Sequence, residues 1–414
     1  MFLLKISFRN LFRHWKRTVI TAVIIALAVF FYLAADSLIL GTEEMAYSNI
    51  INFEAGHLQV ADTSYWKEKD ELPLDNLTNN DSALIRDIKN VKGFSGLSPQ
   101  LKFSAQLSTG TSQLPVAGLG VKPNKIQEVF SLEEHLVAGS FFENNERKVV
   151  LGKRLADQMG LKTGNYITLL VKTANKTFNT IEVKVGGLLK TTNPNINRNY
   201  VYLPLELAQQ SLGVDNKVSR IVVKLTDKDK AEQIKKQLLS VLKQSKPNLG
   251  IYTWEELDAA KALEMDQATN KLLLVIILII GAMGIINTVL LAALERMEEI
   301  GMMKALGLKE KEIIWAFMLE SIGIGLIGVV LGSLLGGISV WYLTTYGIDY
   351  SIFLQGDINM GDFGFPMITQ IKGVWNPNGF IIVNLLGLLV AAVSSYFPAR
   401  WAAKKDAVDA IYNR

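Results

Sequence analysis

Residues 272–307 read LLLVIILIIGAMGIINTVLLAALERMEEIGMMKALG, an almost unbroken apolar run followed by a short charged segment that ends on glycine. A bilayer core of about 30 Å needs roughly 20 apolar residues in helical form, because backbone groups left unpaired in hydrocarbon cost several kcal/mol each. Leu272–Leu294 therefore reads as a membrane span. Three further stretches qualify: Val19–Leu40, interrupted only by Asp36 and Ser37 near one end; Ile313–Leu343, rich in glycine; and Phe380–Phe397, which stops at Pro398. Ala34-Ala35 before Asp36 resembles a signal cleavage site, but the apolar stretch is longer than a usual signal core, so it is read as a retained span.

Composition fits this division. A mean hydropathy of +0.23 beside 20% charged residues means that apolar and polar segments are sorted along the 414 residues. Zero cysteines exclude a disulfide framework, a thiol nucleophile, a zinc-thiolate site and lipid attachment to the chain's own cysteine. A net charge of +4 does not point to nucleic acid, because the basic residues gather beside the apolar runs.

Those basic residues set direction. Lys5, Arg9, Arg13, Lys16 and Arg17 precede the first span; Arg296, Lys304, Lys309 and Lys311 lie between spans 2 and 3; Arg400, Lys404, Lys405 and Arg414 follow span 4. The segment between spans 3 and 4 holds Lys372 alone. Both termini are thus expected in the cytoplasm and the region from Gly41 to Asn270 outside it. Leu4, Phe8, Leu11 and Trp15 share one helical face opposite Lys5, Arg9, Arg13 and Lys16, which predicts an interfacial elbow helix over residues 1–17.

Between Gly41 and Asn270 the pattern becomes that of an α+β domain. Strands are expected at His57–Val60, Tyr166–Val171, Ile181–Val185, Tyr200–Leu203 and Ser219–Leu225. Helices are expected at Asp81–Lys89, Lys153–Met159, Leu205–Leu212 and Lys228–Gln244, with a loop at Asp62–Asp81. His57 and His135 stand beside no nucleophile motif and at no metal-ligand spacing, so they read as ordinary strand or loop residues. Glu133-Glu134 and Glu255-Glu256 read as solvated faces. Gly186-Gly187-Leu188-Leu189-Lys190-Thr191-Thr192 lacks the first glycine of a phosphate-binding loop. No catalytic, cofactor or metal residue is expected in the chain.

The segment after span 2 puts Glu298, Glu299, Ile300, Gly301, Lys304, Ala305, Leu306 and Gly307 on a short helix that can lie along the membrane face and meet a cytoplasmic partner, or serve only as a connector. Gly328, Gly332 and Gly336 recur every fourth residue on span 3, where helix backbones can approach within the subunit or between subunits. Glu320 is an expensive charge in that span. Asn287 in span 2 reads as an interhelical hydrogen bonder.

Glu298-Glu299-Ile300-Gly301-Met302-Met303-Lys304-Ala305-Leu306-Gly307 resembles the inner-loop signature of FtsX-like and MacB-like ABC transporter permeases. Phe8-Arg9-Asn10-Leu11-Phe12-Arg13, Val149–Ala156 and the tail Tyr396–Ile411 resemble the same family. Gly56–Val60, Gly347–Ser351 and Trp375-Asn376-Pro377 look most like its lipoprotein-releasing LolC/LolE subgroup. Glu298 departs from a basic residue at the start of the signature, Asp406-Ala407 departs from Asp-Pro, and no segment matches the subgroup's carrier-capturing hook.

The resemblance implies a four-span membrane protein of the bacterial inner membrane with an inserted extracytoplasmic α+β domain. Its layout would be elbow helix 1–17, span 18–40, outer domain 41–270, span 271–294, coupling loop 295–312, span 313–343, outer loop 344–379, span 380–398 and cytoplasmic tail 399–414. Within the outer domain, 93–213 would be the porter portion, and 41–92 with 214–270 the sabre portion. It implies a cytoplasmic ATPase dimer that binds ATP and Mg, a second permease chain, identical or paralogous, and a non-catalytic role for this one. The function implied is extraction of lipoprotein cargo from membrane lipid toward a periplasmic carrier. Alternatives within the family are MacB-like mechanotransmission for efflux and FtsX-like regulation of a cell-wall hydrolase.

Overall fold

In a computed structural model, residues 9, 11–13, 15–144, 146–295, 297–349 and 370–404 are described. The first part of the elbow helix, most of the loop between spans 3 and 4 with Tyr350 and Ser351, and the tail from Lys405 lie outside the described residues. The chain divides into two units. One takes in Met1–Glu44, Met265–Ser351 and Thr369–Arg414, and the other Met45–Glu264.

Each apolar stretch lies within a long helix. Candidate spans run Thr18–Ala55, Asp258–Leu291, Glu310–Thr345 and Pro377–Trp401. The first helix runs Trp15–Ile50 and closes in a wider turn, Ile51–Ala55; the second starts at Asp258, well ahead of its apolar run. Both helical extensions are polar, so hydropathy marks only the lipid-compatible part of a longer rod.

Within the helical unit, Ile25, Val29 and Leu33 of span 1 pack with Ile285 and Val289 of span 2, Val329 and Val340 of span 3, and Val383 and Ala391 of span 4. Span 3 closes on span 1 through its glycines. A Cβ on Gly332 would stand 2.7 Å from the Ala26 carbonyl oxygen, and one on Gly328 would stand 2.9 Å from that of Ala22. Gly336 faces the Leu33 side chain. The every-fourth-residue pattern therefore serves an interface inside the subunit. Ser333 and Asn384 are in hydrogen-bond contact at 2.8 Å between spans 3 and 4.

Aromatic side chains mark both ends of the bundle. Trp15, Trp315 and Trp401 are exposed toward one end, and Trp341, Tyr342, Tyr346 and Trp375 toward the other. Trp315 and Trp341 are separated along one helix by about 39 Å at 1.5 Å per residue, which matches two headgroup levels of a bilayer.

The second unit contains strands β1 (Leu58–Asp62), β2 (Thr78–Asn79), β3 (Phe94–Ser108), β4 (Gln113–Val121), β5 (Leu136–Gly139), β6 (Lys148–Gly152), β7 (Tyr166–Lys172), β8 (Phe178–Leu189), β9 (Tyr200–Pro204), β10 (Lys217–Val218), β11 (Arg220–Leu225) and β12 (Leu249–Thr253), of which β2 and β10 pair only with each other. The main sheet follows the order β12-β1-β11-β3-β4-β9-β6-β8-β5, and β7 bridges β8 back to β3. Strands β3, β4, β9, β6, β8 and β7 thereby close into a ring, which removes most unpaired edges. Its interior is filled by alternate residues such as Phe103, Leu107, Leu151, Leu169, Val183 and Val201. Gly118 on β4 leaves room for the Phe103 ring across the pair, where a Cβ would collide.

Helices form at Ser82–Lys89, Lys153–Gln158, Leu205–Leu212 and Ala231–Ser245. Asp81 caps the first, accepting a hydrogen bond from Leu84 N at 2.7 Å. The expected loop at Asp62–Asp81 holds two short helical turns, Thr63–Lys67 and Lys69–Glu71.

Candidate coupling helix and membrane groove

After span 2 the chain re-enters a helix at Met297–Ala305 and leaves it through Gly307, whose φ of 90° is the left-handed conformation that glycine accepts most readily. One face of this helix is tied to the bundle. Ile300 is fully buried against Ile313 and Phe317 of span 3 and Ala399 and Ala403 of span 4, and Gly301 is buried beside it. Lys304 donates from Nζ to the Ala403 carbonyl at 2.9 Å, meeting the carbonyl end of the last helix where a cation is favoured. Lys309 N donates to Glu312 Oε2 at 2.8 Å and starts span 3.

The other face is open. Met302, Ala305, Leu306 and Gly307 are exposed, Leu306 to 82%. The signature thus divides into residues that fix the helix in place (Ile300, Gly301, Lys304) and residues that it presents (Met302, Ala305, Leu306). Glu299 is half-buried and engaged with a neighbour. The Glu298 side chain lies outside what is described.

A second feature lies within the bundle. Spans 1, 2 and 4 enclose a groove of 350 Å³ lined by apolar residues alone, among them Ile25 and Val29, Val275 and Ile285, and Val383 and Leu386. Such a surface solvates hydrocarbon and offers nothing to a charged or hydrogen-bonding ligand.

Several polar residues of the spans take definite places. Glu320 is 4% exposed and is engaged with a neighbour, so its carboxyl group is buried inside the protein. Asp36 accepts a hydrogen bond from Asn376, a contact that sequence reading missed because Asp36 looked like a mere interruption of span 1. Asn287 is exposed on span 2, so the hydrogen bond expected of it is not made within this chain among the described residues. Leu11 is buried against Ala22 and Ile324, whereas Trp15, expected on the same face, is exposed.

In the sheet unit, His57 is buried and its Nδ1 accepts from Leu225 N at 3.0 Å; burial lowers its pKa, with the charge of Lys224 adding to the effect. It is a satisfied core histidine. The His135 ring packs edge-on to Phe53. Gly186 and Gly187 lie inside β8, paired to β5 and β6, so they form extended strand instead of a phosphate-binding turn.

A polar layer beneath the Ile51–Ala55 turn was not foreseen. Arg220 reaches Gln100 Oε1 at 3.0 Å, Gln59 Oε1 at 3.1 Å and the Glu54 carbonyl at 3.3 Å. Lys102 Nζ lies 5.1 Å from the centre of the Tyr200 ring, and burial together with Arg220 pushes its pKa down to about 8. The alternation Ser98, Gln100, Lys102 along β3 was the available signal.

Residues 18–241 match the MacB-like periplasmic core domain, and residues 271–407 match the FtsX-like permease C-terminal family. The chain is 22% identical over 363 residues to the lipoprotein-releasing system transmembrane protein LolC of Neisseria meningitidis, covering 82% of this chain and 83% of that one. It is 25% identical over 339 residues to an uncharacterised ABC transporter permease of Methanocaldococcus jannaschii, covering 79% and 78%. Over 245 residues it is 28% identical to the macrolide export ATP-binding/permease protein MacB of Campylobacter jejuni, covering 56% of this chain and 34% of that protein. Among solved structures, the periplasmic region of MacB from Actinobacillus actinomycetemcomitans covers 51% of this chain and 94% of its own at 14% identity, with a TM-score of 0.37.

Proposed function

The chain belongs to the FtsX- and MacB-like permease superfamily of ABC transporters, and from that premise we propose that it draws lipidated proteins out of the inner membrane for transfer toward the outer membrane. The observation that carries this reading is the groove between spans 1, 2 and 4, whose wholly apolar lining suits an acyl chain. Similarity to LolC proteins over 76–82% of the chain supports it, and similarity to MacB proteins over 97–98% of the chain supports the efflux alternative equally. In this reading both termini are cytoplasmic, as the basic residues beside the spans favour, and the sheet unit is periplasmic.

Permeases of this type work with an ABC ATPase. We assign ATP and Mg to that partner and a non-catalytic role to this chain, with the Met297–Ala305 helix as the docking element and a second permease chain completing the unit. Exposed Leu306 and Met302 supply the apolar anchors that a groove on the partner would accept. Residues 93–213 serve as the porter portion of the outer domain and its flanks as the sabre portion.

Depletion of the chain in its native bacterium should leave outer-membrane lipoproteins stranded in the inner membrane, and a photoreactive side chain at Ile279 or Leu386 should capture their acyl chains. Correct sorting after depletion would end the proposal. Co-isolation with an outer-membrane channel and adaptor, with sorting intact, would move the chain to the MacB-like efflux reading. A septation defect with capture of a cell-wall hydrolase would move it to the FtsX-like one.

A further inference from the structure

The groove between spans 1, 2 and 4 has walls of unequal strength. Where the start of span 4 meets span 1, the chain is fixed by its backbone: Val374 N donates to the Ser37 carbonyl at 3.0 Å, and Gly373 N donates to the Leu343 carbonyl of span 3 at 3.0 Å. Asn376 adds its hydrogen bond to Asp36, and Gly41 leaves room for the Lys372 carbonyl, where a Cβ would collide. Backbone pairs of this kind cannot rotate away as a side chain can, so spans 1, 3 and 4 are held together at this end.

Span 2 is held differently. It is the least buried of the four spans. Its backbone comes close to span 1 at Gly281, where a Cβ would stand 2.8 Å from that of Ala28, and at Gly284, where one would stand 3.4 Å from Cγ2 of Ile24. From Leu272 to Ile280 it carries apolar side chains alone. Apolar contact is non-directional, so this stretch can tilt without breaking a hydrogen bond. The seam is then closed at Asn270, whose Nδ2 donates to Oε1 of Glu43 at 3.0 Å. Both side chains are half-buried, and Glu44, Gln267 and Thr269 beside them are engaged as well. Asn270 lies five residues, about 7.5 Å, beyond Val275, the groove residue of span 2 farthest from the coupling helix.

We propose that Glu43 and Asn270 form the outer latch of the groove, and that span 2 swings from span 1 about the Gly281–Ala28 contact when the latch parts, so that an acyl chain leaves between spans 1 and 2 of one chain. The proposal rests on the acyl-chain reading above and adds the seam that opens and the residues that hold it. One side-chain hydrogen bond in a membrane biases an equilibrium roughly 3- to 30-fold, which favours the closed seam and still lets it open. A gate on the opposite wall would have to break the backbone pairs at Ser37 and Leu343 as well.

The chain has no cysteine, so spin labels can be placed without background in the full-length protein, copurified with its ATPase into lipid nanodiscs. One pair, Thr42→Cys with Lys271→Cys, spans the seam; the other, Leu38→Cys with Asn378→Cys, spans the wall between spans 1 and 4. Label distances without nucleotide and with ATP plus vanadate should differ for the first pair and agree for the second. Asn270→Leu should raise the share of the open distance roughly 3- to 30-fold in the nucleotide-free protein, whereas Glu43→Gln, which keeps an acceptor for Asn270, should not. Joining Glu43→Cys to Asn270→Cys with a short bismaleimide should stop release of a lipidated protein while photocapture of its acyl chain at Ile279 persists. Normal release with the seam locked, a change of distance at the second pair instead of the first, no change at either, or indifference to Asn270→Leu would each overturn the latch. Absence of photocapture at Ile279 in the unlocked protein removes the acyl-chain reading instead, and the label distances then still decide whether the seam opens.

Discussion

Asn376 donates from Nδ2 to Oδ2 of Asp36 at 2.9 Å, tying span 1 to the start of span 4 across 340 residues of sequence. Gly379 sits one turn along span 4, where a side chain would strike the same carboxylate, so the helix start is shaped around Asp36. Removing one partner leaves the other buried and unpaired, which costs about 1–3 kcal/mol. Asn376→Leu should therefore lower the unfolding temperature of the detergent-solubilised protein. Adding Asp36→Leu should recover part of the loss, because the orphaned acid is gone. A double variant no better than the sum of its singles would show that the contact contributes nothing.

Span 3 offers a graded test of helix approach. A methyl group at Gly332 would meet the Ala26 carbonyl at 2.7 Å, and that backbone atom cannot move aside as a flexible side chain can. Gly332→Ala is expected to destabilise by about 1–3 kcal/mol, as overpacking does. Gly337→Ala, whose nearest neighbour is the Phe380 ring edge at 4.0 Å, should be neutral or slightly stabilising. Paired thermal melts compare the two, and equal effects would remove the packing explanation.

The four spans were legible because hydrocarbon imposes a length and a composition that only such runs meet. The inner helix was legible from its signature. Its division into buried Ile300 and exposed Leu306 was not, since both are apolar and the helix spans barely more than two turns. The glycine spacing announced a close approach, but only three-dimensional packing names span 1 as the partner. The hairpin of β3 and β4 escaped because Gly96, Pro99, Pro115, Gly118 and Gly120 resemble turn residues. Pairing of Pro99 with Ile221 and the space beside Phe103 explain them after the fact. Asp36 had no visible partner, because no local pattern links it to Asn376.

Lys102 gives the sheet unit a pH dependence of predictable sign. Its folded pKa, pushed down to about 8, lies below the 10.5 of an unhindered lysine. Between those values the unfolded chain holds a proton that the folded one has released, so stability rises with pH over that window. Below pH 8 the charge persists in both states and its burial penalty is constant. Lys102→Met should thus stabilise the protein at pH 7 by on the order of 1–3 kcal/mol, and its advantage over the parent should shrink between pH 8 and 10. Tyr200 and Tyr202, whose pKa values burial raises, reverse the trend above pH 10 in both proteins. A constant difference between the two melting curves across this range would refute the assignment.

Ile300 and Leu306 stand six residues apart in one signature and should fail in opposite ways. Ile300 is fully buried among Ile313, Phe317, Ala399 and Ala403, so Ile300→Ala removes packing worth about 2–5 kcal/mol and should lower the melting temperature. Leu306 contacts solvent over most of its surface, and Leu306→Asp should leave the melting temperature unchanged within about 0.5 kcal/mol. If the open face of this helix seats on the ATPase, Leu306→Asp instead loses copurification with that partner, since a carboxylate is desolvated in an apolar groove without a counterion. A variant that melts normally, retains the ATPase and couples its ATP use to transport would show that Leu306 is not a docking residue. Loss of folding by Leu306→Asp would show that the exposed face packs against the chain itself.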